Sequence, residues 1–286
     1  MINFVRINKN FQGNFWEKPF VALEDISFSI QKGDLVGFLG ANGAGKTTLI
    51  KILMDFSRQD SGQVNFNPEL GKNLLEIKSY IGYLPERAYL YPHLTGREFL
   101  SYVSELTNLN TKQRTEAIDI WSKKLTIDYA LDRLIKTYSK GMQQRLGFVS
   151  VLLHRPTVLV LDEPLSGLDP LGRREFKSIL KELNQMGVTV FFSSHVVADV
   201  EEICNKVIFI EKGKLVHEGS VDELIIKHSN DLYDIKFLEQ DKMQIIKVHE
   251  KDKNKKILEI LNLGNQILEI EKEKPSLEEI IYKIKK

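Results

Sequence analysis

Apolar positions along this chain follow two rhythms that take turns. Short runs in which apolar residues alternate with polar ones, or follow one another unbroken, predict strands at 3–8, 22–30, 34–39, 64–66, 158–161, 188–192 and 206–210. The unbroken runs at 157–161 and 188–192 suit strands buried on both faces, as in a mostly parallel sheet. Between 84 and 153 the strand rhythm stops. Apolar residues there recur at three- and four-residue spacing and predict amphipathic helices at about 96–107, 111–125 and 141–153, a helical insertion between two strands. Strands alternating with helices are the pattern of an α/β chain.

The rhythm changes again near Gly219. Residues 213–219 read as a hairpin closing a first domain, and Ser220 with Glu223 forms a capping box that opens a short helix to about 228. The remainder is rich in Lys and Ile. It predicts strands at 232–238, 245–248 and 266–271, a helix at 255–263, and a final helix opened by a second capping box at 276–279. The expected division is therefore 1–220, with a helical subdomain at about 86–155, and 221–286, a small accessory α+β domain. Met243, Ile245 and Val248 are expected in the core of the second domain, which carries no recognisable chemistry. No internal repeat is apparent.

Composition narrows the classes. A length of 286 residues fits about two domains at roughly 150 residues each, and 42% hydrophobic with 28% charged residues excludes a disordered, collagenous or low-complexity chain. Forty Lys and Arg balance 39 Asp and Glu, so bulk nucleic-acid binding is not expected, and only the basic run 251–256 leaves room for it. The single cysteine, Cys204, allows no intrachain disulfide and fits a reducing compartment. The first ten residues alternate rather than form an apolar signal core, and no apolar run approaches the ~18 residues of a membrane span. Action at a membrane is thus expected only through a partner chain.

Two segments carry candidate chemistry. Gly40-Ala41-Asn42-Gly43-Ala44-Gly45-Lys46-Thr47 has the G-x-x-x-x-G-K-[ST] spacing between a predicted strand and a helix that begins near Thr48. The glycines let backbone N–H groups turn onto phosphate oxygens, and the helix start presents its positive end to the same anion. Lys46 would reach the β- and γ-phosphates and the Thr47 hydroxyl would ligate Mg²⁺. The second segment is the apolar strand ending in Asp162-Glu163. Ligands gather at the carboxyl ends of strands in an open α/β sheet. One carboxylate there can hold Mg²⁺ and the other can orient or deprotonate an attacking water. Ser166-Gly167-Leu168-Asp169 follows as a tight turn, and His195 after the 188–192 run can hydrogen-bond a γ-phosphate at the same edge.

The segment Tyr138-Ser139-Lys140-Gly141-Met142-Gln143-Gln144-Arg145, ahead of the Asp-Glu strand, is similar to the signature of ATP-binding cassette (ABC) ATPases, usually Leu-Ser-Gly-Gly-Gln. With the other motifs in family order, the resemblance covers residues 1 to about 220. It implies a P-loop ABC cassette: a mostly parallel sheet core, an antiparallel β part and a helical subdomain. It implies ATP hydrolysis with Mg²⁺ by two cassettes closed head to tail, homodimer or close homologues. Ser139, Lys140, Gly141 and Met142 of one chain would then cap the γ-phosphate held by Lys46 of the other. Asp162 becomes the Mg²⁺ carboxylate, Glu163 the general base, His195 the γ-phosphate switch, and Asp169 part of the turn linking the two sites. An adenine-stacking aromatic is expected near the end of the first strand; Phe11 aligns best, with Phe15 and Trp16 as rivals.

Three positions depart from the family pattern. Lys140 replaces the first signature glycine, and Met142 replaces the glutamine. Glu86 stands where most members have a glutamine that touches Mg²⁺ and couples the site to a membrane partner. A carboxylate still suits Mg²⁺, so this departure bears on coupling. Gly-Tyr-Leu-Pro-Glu (82–86), Leu-Thr-Gly-Arg-Glu (94–98) and Tyr-Ser-Lys-Gly-Met (138–142) together resemble the ATP-binding subunits of ABC-2-type bacterial exporters. That branch implies a separate permease and a peripheral position at the cytoplasmic face of the inner membrane. The competing reading, a soluble ABC ATPase acting on ribosomes or nucleic acid, rests only on the basic run 251–256. For a GTPase there is no Asn/Thr-Lys-x-Asp segment placed to read guanine.

Overall fold

The alternating runs at the start of the chain form β1 (Ile2–Phe11) and β2 (Phe20–Ile30), which pair antiparallel. The apolar run after them is β3 (Leu35–Leu39), and the glycine-rich loop that follows feeds α1 (Lys46–Leu53). β4 (Ser61–Phe66) returns antiparallel to β1, so the first sheet has the order β2–β1–β4. α2 (Leu74–Ser79), N-capped by Asn73, leads into β5 (Ile81–Leu84). Three helices come next: α3 (Gly96–Glu105), α4 (Thr111–Lys124) and α5 (Lys140–Leu152). Complete capping boxes, Thr95 with Glu98 and Asn110 with Gln113, start α3 and α4. The chain continues through β6 (Val158–Leu161), α6 (Pro170–Gln185), β7 (Thr189–Ser194), α7 (Val197–Ile203), β8 (Lys206–Glu211) and β9 (Lys214–Ser220).

These strands make a six-stranded sheet in the order β5–β6–β7–β3–β8–β9, parallel from β5 to β8. The three central strands β6, β7 and β3 are buried at every residue, as their unbroken apolar runs require. The antiparallel sheet packs on this sheet through an aromatic stack: Phe4 on Phe28 at 4.3 Å and Phe38 on Phe191 at 5.3 Å, with Phe28 and Phe38 6.0 Å apart. Contact between β3 and α7 is close. A Cβ on Gly37 would lie 2.3 Å from Val200 Cγ1, so only glycine fits there. Cys204, the C-cap residue of α7, is buried, and burial pushes its thiol well above the usual range. β5, α2, α6 and α7 are additions to the elements predicted from apolar rhythm.

The described residues are 1–12, 20–107, 109–229, 231–240 and 242–284 of a computed structural model. The chain divides into two compact units, Met1–Gly219 and Ser220–Lys286. The second unit contains α8 (Val221–His228), β10 (Leu232–Glu239), β11 (Lys242–His249), α9 (Glu250–Asn262), β12 (Gln266–Lys272) and α10 (Leu277–Ile284). Its sheet has the order β11–β10–β12, and α9 packs on all three strands over a small core of Ile235, Phe237, Val248 and Ile260. Met243 and Ile245 are not in that core. They are 62% and 52% exposed, because the register of edge strand β11 sets them opposite Leu238 and Lys236, on the opposite sheet face from Ile235 and Phe237; only Val248 of the three is buried. The basic run 251–256 lies on α9, where Lys253 sits over the Tyr233 ring and Lys256 pairs with Glu259. Among the described residues no helix is long and apolar enough to cross a membrane.

Candidate active site

Parallel register brings three loop starts to one edge of the large sheet. Leu39 pairs with Ser194 and Leu161 with Phe192, so the loop after β3, the carboxylates after β6 and His195 after β7 converge. The loop turns tightly at Gly45, whose φ of 107° and whose missing Cβ, which would sit 2.6 Å from the Ala22 carbonyl, both require glycine. Lys46 opens α1 and is 6% exposed. Its ammonium donates to the Gly40 carbonyl at 2.7 Å and the Ala41 carbonyl at 3.3 Å.

The same ammonium lies 3.1 Å from Glu163 Oε1, and Glu163 Oε2 lies 2.9 Å from His195 Nδ1. Glu163 Oε1 makes no aligned hydrogen bond, so its contact with Lys46 is an ion pair alone. Glu163 bridges a lysine and a histidine that come from different strand ends. Its backbone sits at φ 48°, the left-handed region a glutamate rarely enters. Two bonds hold it there: its N–H donates to Ser193 Oγ at 2.8 Å, and its carbonyl accepts from the Ser166 N–H at 3.0 Å. Ser193 Oγ also donates to Asp162 Oδ1 at 2.6 Å. Burial holds the Asp162 carboxyl above its ordinary range. Hydrogen bonds from Ser193 and Thr47 oppose that rise, and the charges of Glu163 and Glu86 add to it.

A cleft of about 390 Å³ opens over this group, a size suited to a small organic ligand. Asn42, Gly43 and Gly45–Thr48 form its floor, Phe20 and Ala22 one wall, and Glu86, Ser166 and His195 further parts of its lining. Glu86 also borders a neighbouring cleft with Asp162 and Tyr83, where burial pushes the Tyr83 phenol to about 12. Phe11 does not line the main cleft. It pairs with Phe20 across the β1–β2 ladder, with Lys9 over its ring, and Phe20 takes the wall position; Phe15 and Trp16 lie outside the described residues. Ser139, Lys140, Gly141 and Met142 start α5 and also stand outside the cleft. Ser139 Oγ accepts from the Met142 N–H at 3.2 Å, and Asp169 N-caps α6 through the Gly172 N–H at 3.0 Å.

Phe20 and Ser193 are site residues that the motifs do not pick out, whereas Ser166 belongs to the turn 166–169 that they do. A signal existed for Ser193, a polar residue ending an otherwise apolar buried run, but none distinguished Phe20 from the other aromatics around it.

The donors present suit a hard cation and a polyphosphate. Thr47 and Asp162 offer neighbouring oxygen ligands, Glu86 adds a third beside them, and Glu163 keeps an unaligned buried oxygen. Among the described residues no cluster of three or more His, Cys, Asp or Glu could cage a metal. The oxygen donors at Thr47, Asp162 and Glu86 suit a hard cation that takes further oxygen ligands from a bound polyphosphate.

Residues 23–166 match the family described as ABC transporter. An uncharacterized ABC transporter ATP-binding protein of Synechocystis is 40% identical over 77% of this chain and 62% of its own length. The bacitracin transport ATP-binding protein of Bacillus licheniformis is 36% identical over 71% of this chain and 66% of its own length. The ABC transporter ATP-binding protein YhaQ of Bacillus subtilis is 30% identical over 91% and 92% of the two chains. The match spans less than two thirds of the length of the Synechocystis and Bacillus licheniformis relatives. A dimeric post-hydrolysis structure of an ATP-binding cassette bound to ADP and Pi superposes with a TM-score of 0.69 at 22% identity, over 77% of this chain and 99% of the other. The structure of an ATP-binding subunit of an ABC transporter gives 0.68 at 25% identity, over 79% and 92%. The fold of the first unit is that of these cassettes.

Proposed function

The chain belongs to the ABC transporter family, and from that premise we propose that it hydrolyses MgATP as the ATP-binding subunit of an exporter, two cassettes together driving a separate membrane permease. The observation that carries this reading is the Lys46–Glu163–His195 chain of contacts at the mouth of the phosphate loop. In it the amine, the base and the γ-phosphate sensor wait within contact distance of one another.

Each residue has a physical task. Backbone N–H groups of 40–45 and the α1 N-terminus hold the β- and γ-phosphates. Lys46 exchanges its contact with Glu163 for the β- and γ-phosphates, which frees the Glu163 carboxylate to take a proton from the attacking water. His195 then hydrogen-bonds the γ-phosphate instead of Glu163. Thr47, Asp162 and Glu86 would hold Mg²⁺, which would supply positive charge to the phosphate oxygens. Phe20, rather than Phe11, stacks on adenine. Ser139 to Met142 act across the pair: the α5 N-terminus of one chain faces the γ-phosphate of the other, as Asp169 links the two sites. The signature-region departures shared with the ABC-2 branch, together with a relative named for bacitracin transport, support export. A peripheral place on the cytoplasmic face, where ATP is available, follows from the same reading.

Glu163→Gln keeps the shape of the side chain and removes the base. Turnover falls by about 10²–10⁴-fold while MgATP still binds; full turnover in this variant refutes the assignment. Affinity capture of the tagged chain from detergent-solubilised membranes of its host tests the partner. A stoichiometric polytopic protein is expected, and recovery with ribosomes alone overturns the exporter reading.

A further inference from the structure

Lys140 occupies the position where the family signature usually has glycine, and its side chain does something a glycine cannot. It folds back over the turn that follows Glu163. A Cβ on Gly167 would lie 2.6 Å from Lys140 Cδ and 2.8 Å from Cε, so the lysine stem lies on the one residue of the turn that has no side chain. Gly167 is held to glycine a second time by its φ of 78°. The Lys140 ammonium donates to Ser166 Oγ at 3.4 Å. One helical turn further on, the buried Gln144 donates from Nε2 to the Pro164 carbonyl at 3.1 Å. Residues four apart share a helix face. α5 thus grips the segment 164–167 at two points, one buried and one at the surface.

That segment belongs to the phosphate cleft. The Ser166 N–H holds the Glu163 carbonyl in its left-handed conformation, and Ser166 itself lines the cleft beside Lys46 and His195. At the other end of the grip is the first turn of α5, capped by Ser139. We propose that Lys140 is a positioning residue that couples occupancy of a chain's own cleft to the conformation of its α5 N-terminus, the part of the chain that serves the second cassette. When the β-phosphate of a bound nucleotide, which ADP also carries, draws Lys46 away from Glu163, the 163–167 segment readjusts, and Lys140 carries that readjustment to Ser139 and Gly141. Gln144 keeps the helix attached throughout, and Lys140 sets the position of its tip. The inference deepens the ATPase reading and rests on it.

Hydrogen exchange of the full chain, with and without MgADP, tests the coupling without requiring turnover. In the unmodified chain MgADP changes exchange of the amides at 140–145 by at least about fivefold, the lower end of ordinary site-to-site coupling. Lys140→Ala loses that response while MgADP remains bound, and Lys140→Arg retains it. Ser166→Ala, which removes the acceptor and leaves α5 untouched, shows the same loss as Lys140→Ala. A response in Lys140→Ala equal to that of the unmodified chain overturns the proposal. Binding of MgADP to the unmodified chain with no change in α5 overturns the coupling alone, whereas absence of MgADP binding overturns the ATPase reading and the coupling with it.

Discussion

Burial means different things in the two units. In Met1–Gly219 the central strands β3, β6 and β7 have no exposed residue, and Tyr83, Tyr138, His154, Asp162 and Cys204 all have their acidity shifted chiefly by burial. Among the described residues of Ser220–Lys286 no strand is buried throughout. Among the described residues there, Lys236, Lys247, Glu259 and Glu269 owe their shifts first to hydrogen bonds with oppositely charged neighbours at the surface, as Arg97 and Asp132 do on the first unit. The contrast follows the work asked of each unit. A glutamate held at positive φ against a buried lysine costs about 1–3 kcal/mol and persists only where the surroundings over-determine it. Fully buried strands on either side provide that frame, whereas the small cluster of Ile235, Phe237, Val248 and Ile260 under α9 would not.

Ile235→Ala has the largest expected effect. Deleting a fully buried isoleucine side chain costs about 2–5 kcal/mol, a large share of what so small a core can supply. Urea unfolding should resolve an early transition of the second unit, with MgADP binding to the first unit retained. One shared transition would show that the two units stand or fall together. Gly37→Ala tests the first unit in the same way: its new methyl meets Val200, and overpacking of this kind costs about 1–3 kcal/mol. Because α7 directly follows His195, nucleotide affinity should weaken along with the melting temperature. A loss of stability without any change in affinity would mean that the site is insulated from its frame.

The smallest effect concerns pH. Burial lowers the pKa of His154 below 6.5, so between that lowered pKa and 6.5 the unfolded chain binds more protons than the folded one. Stability of the first unit should therefore decline as pH falls below 6.5, by at most about 1.4 kcal/mol per pH unit for one proton. The Glu259 and Glu269 carboxyls are shifted downward, so their ion pairs persist above the ordinary carboxylate range and are lost only as pH falls through the lowered values. Urea midpoints at about pH 7 and about pH 5.5 should thus differ for the first unit and not for the second, and His154→Gln should reduce the difference.

Local signals made the strand ends of the candidate site legible. The unbroken apolar runs before Gly40 and Asp162 are buried strands, and the glycine spacing, the paired carboxylates and His195 meet where parallel register puts them. β5 escaped because Gly82 interrupts its short run. α6, which the apolar rhythm did not predict, begins at Asp169-Pro170 with a side-chain cap and a proline at its first turn. Met243 and Ile245 misled because apolar alternation says which residues share a face and not which face is covered. Phe20 and the Lys140–Ser166 contact depend on how distant segments stack, which no local spacing encodes.

Cys204 has a practical consequence for probing this molecule. A thiol that is buried and reluctant to ionise reacts slowly with maleimides and disulfide reagents. The chain contains no other cysteine. A single thiol introduced on any exposed surface can therefore carry a fluorophore or spin label on the otherwise natural sequence, and distances between labelled copies can be compared with and without nucleotide while Cys204 stays in place.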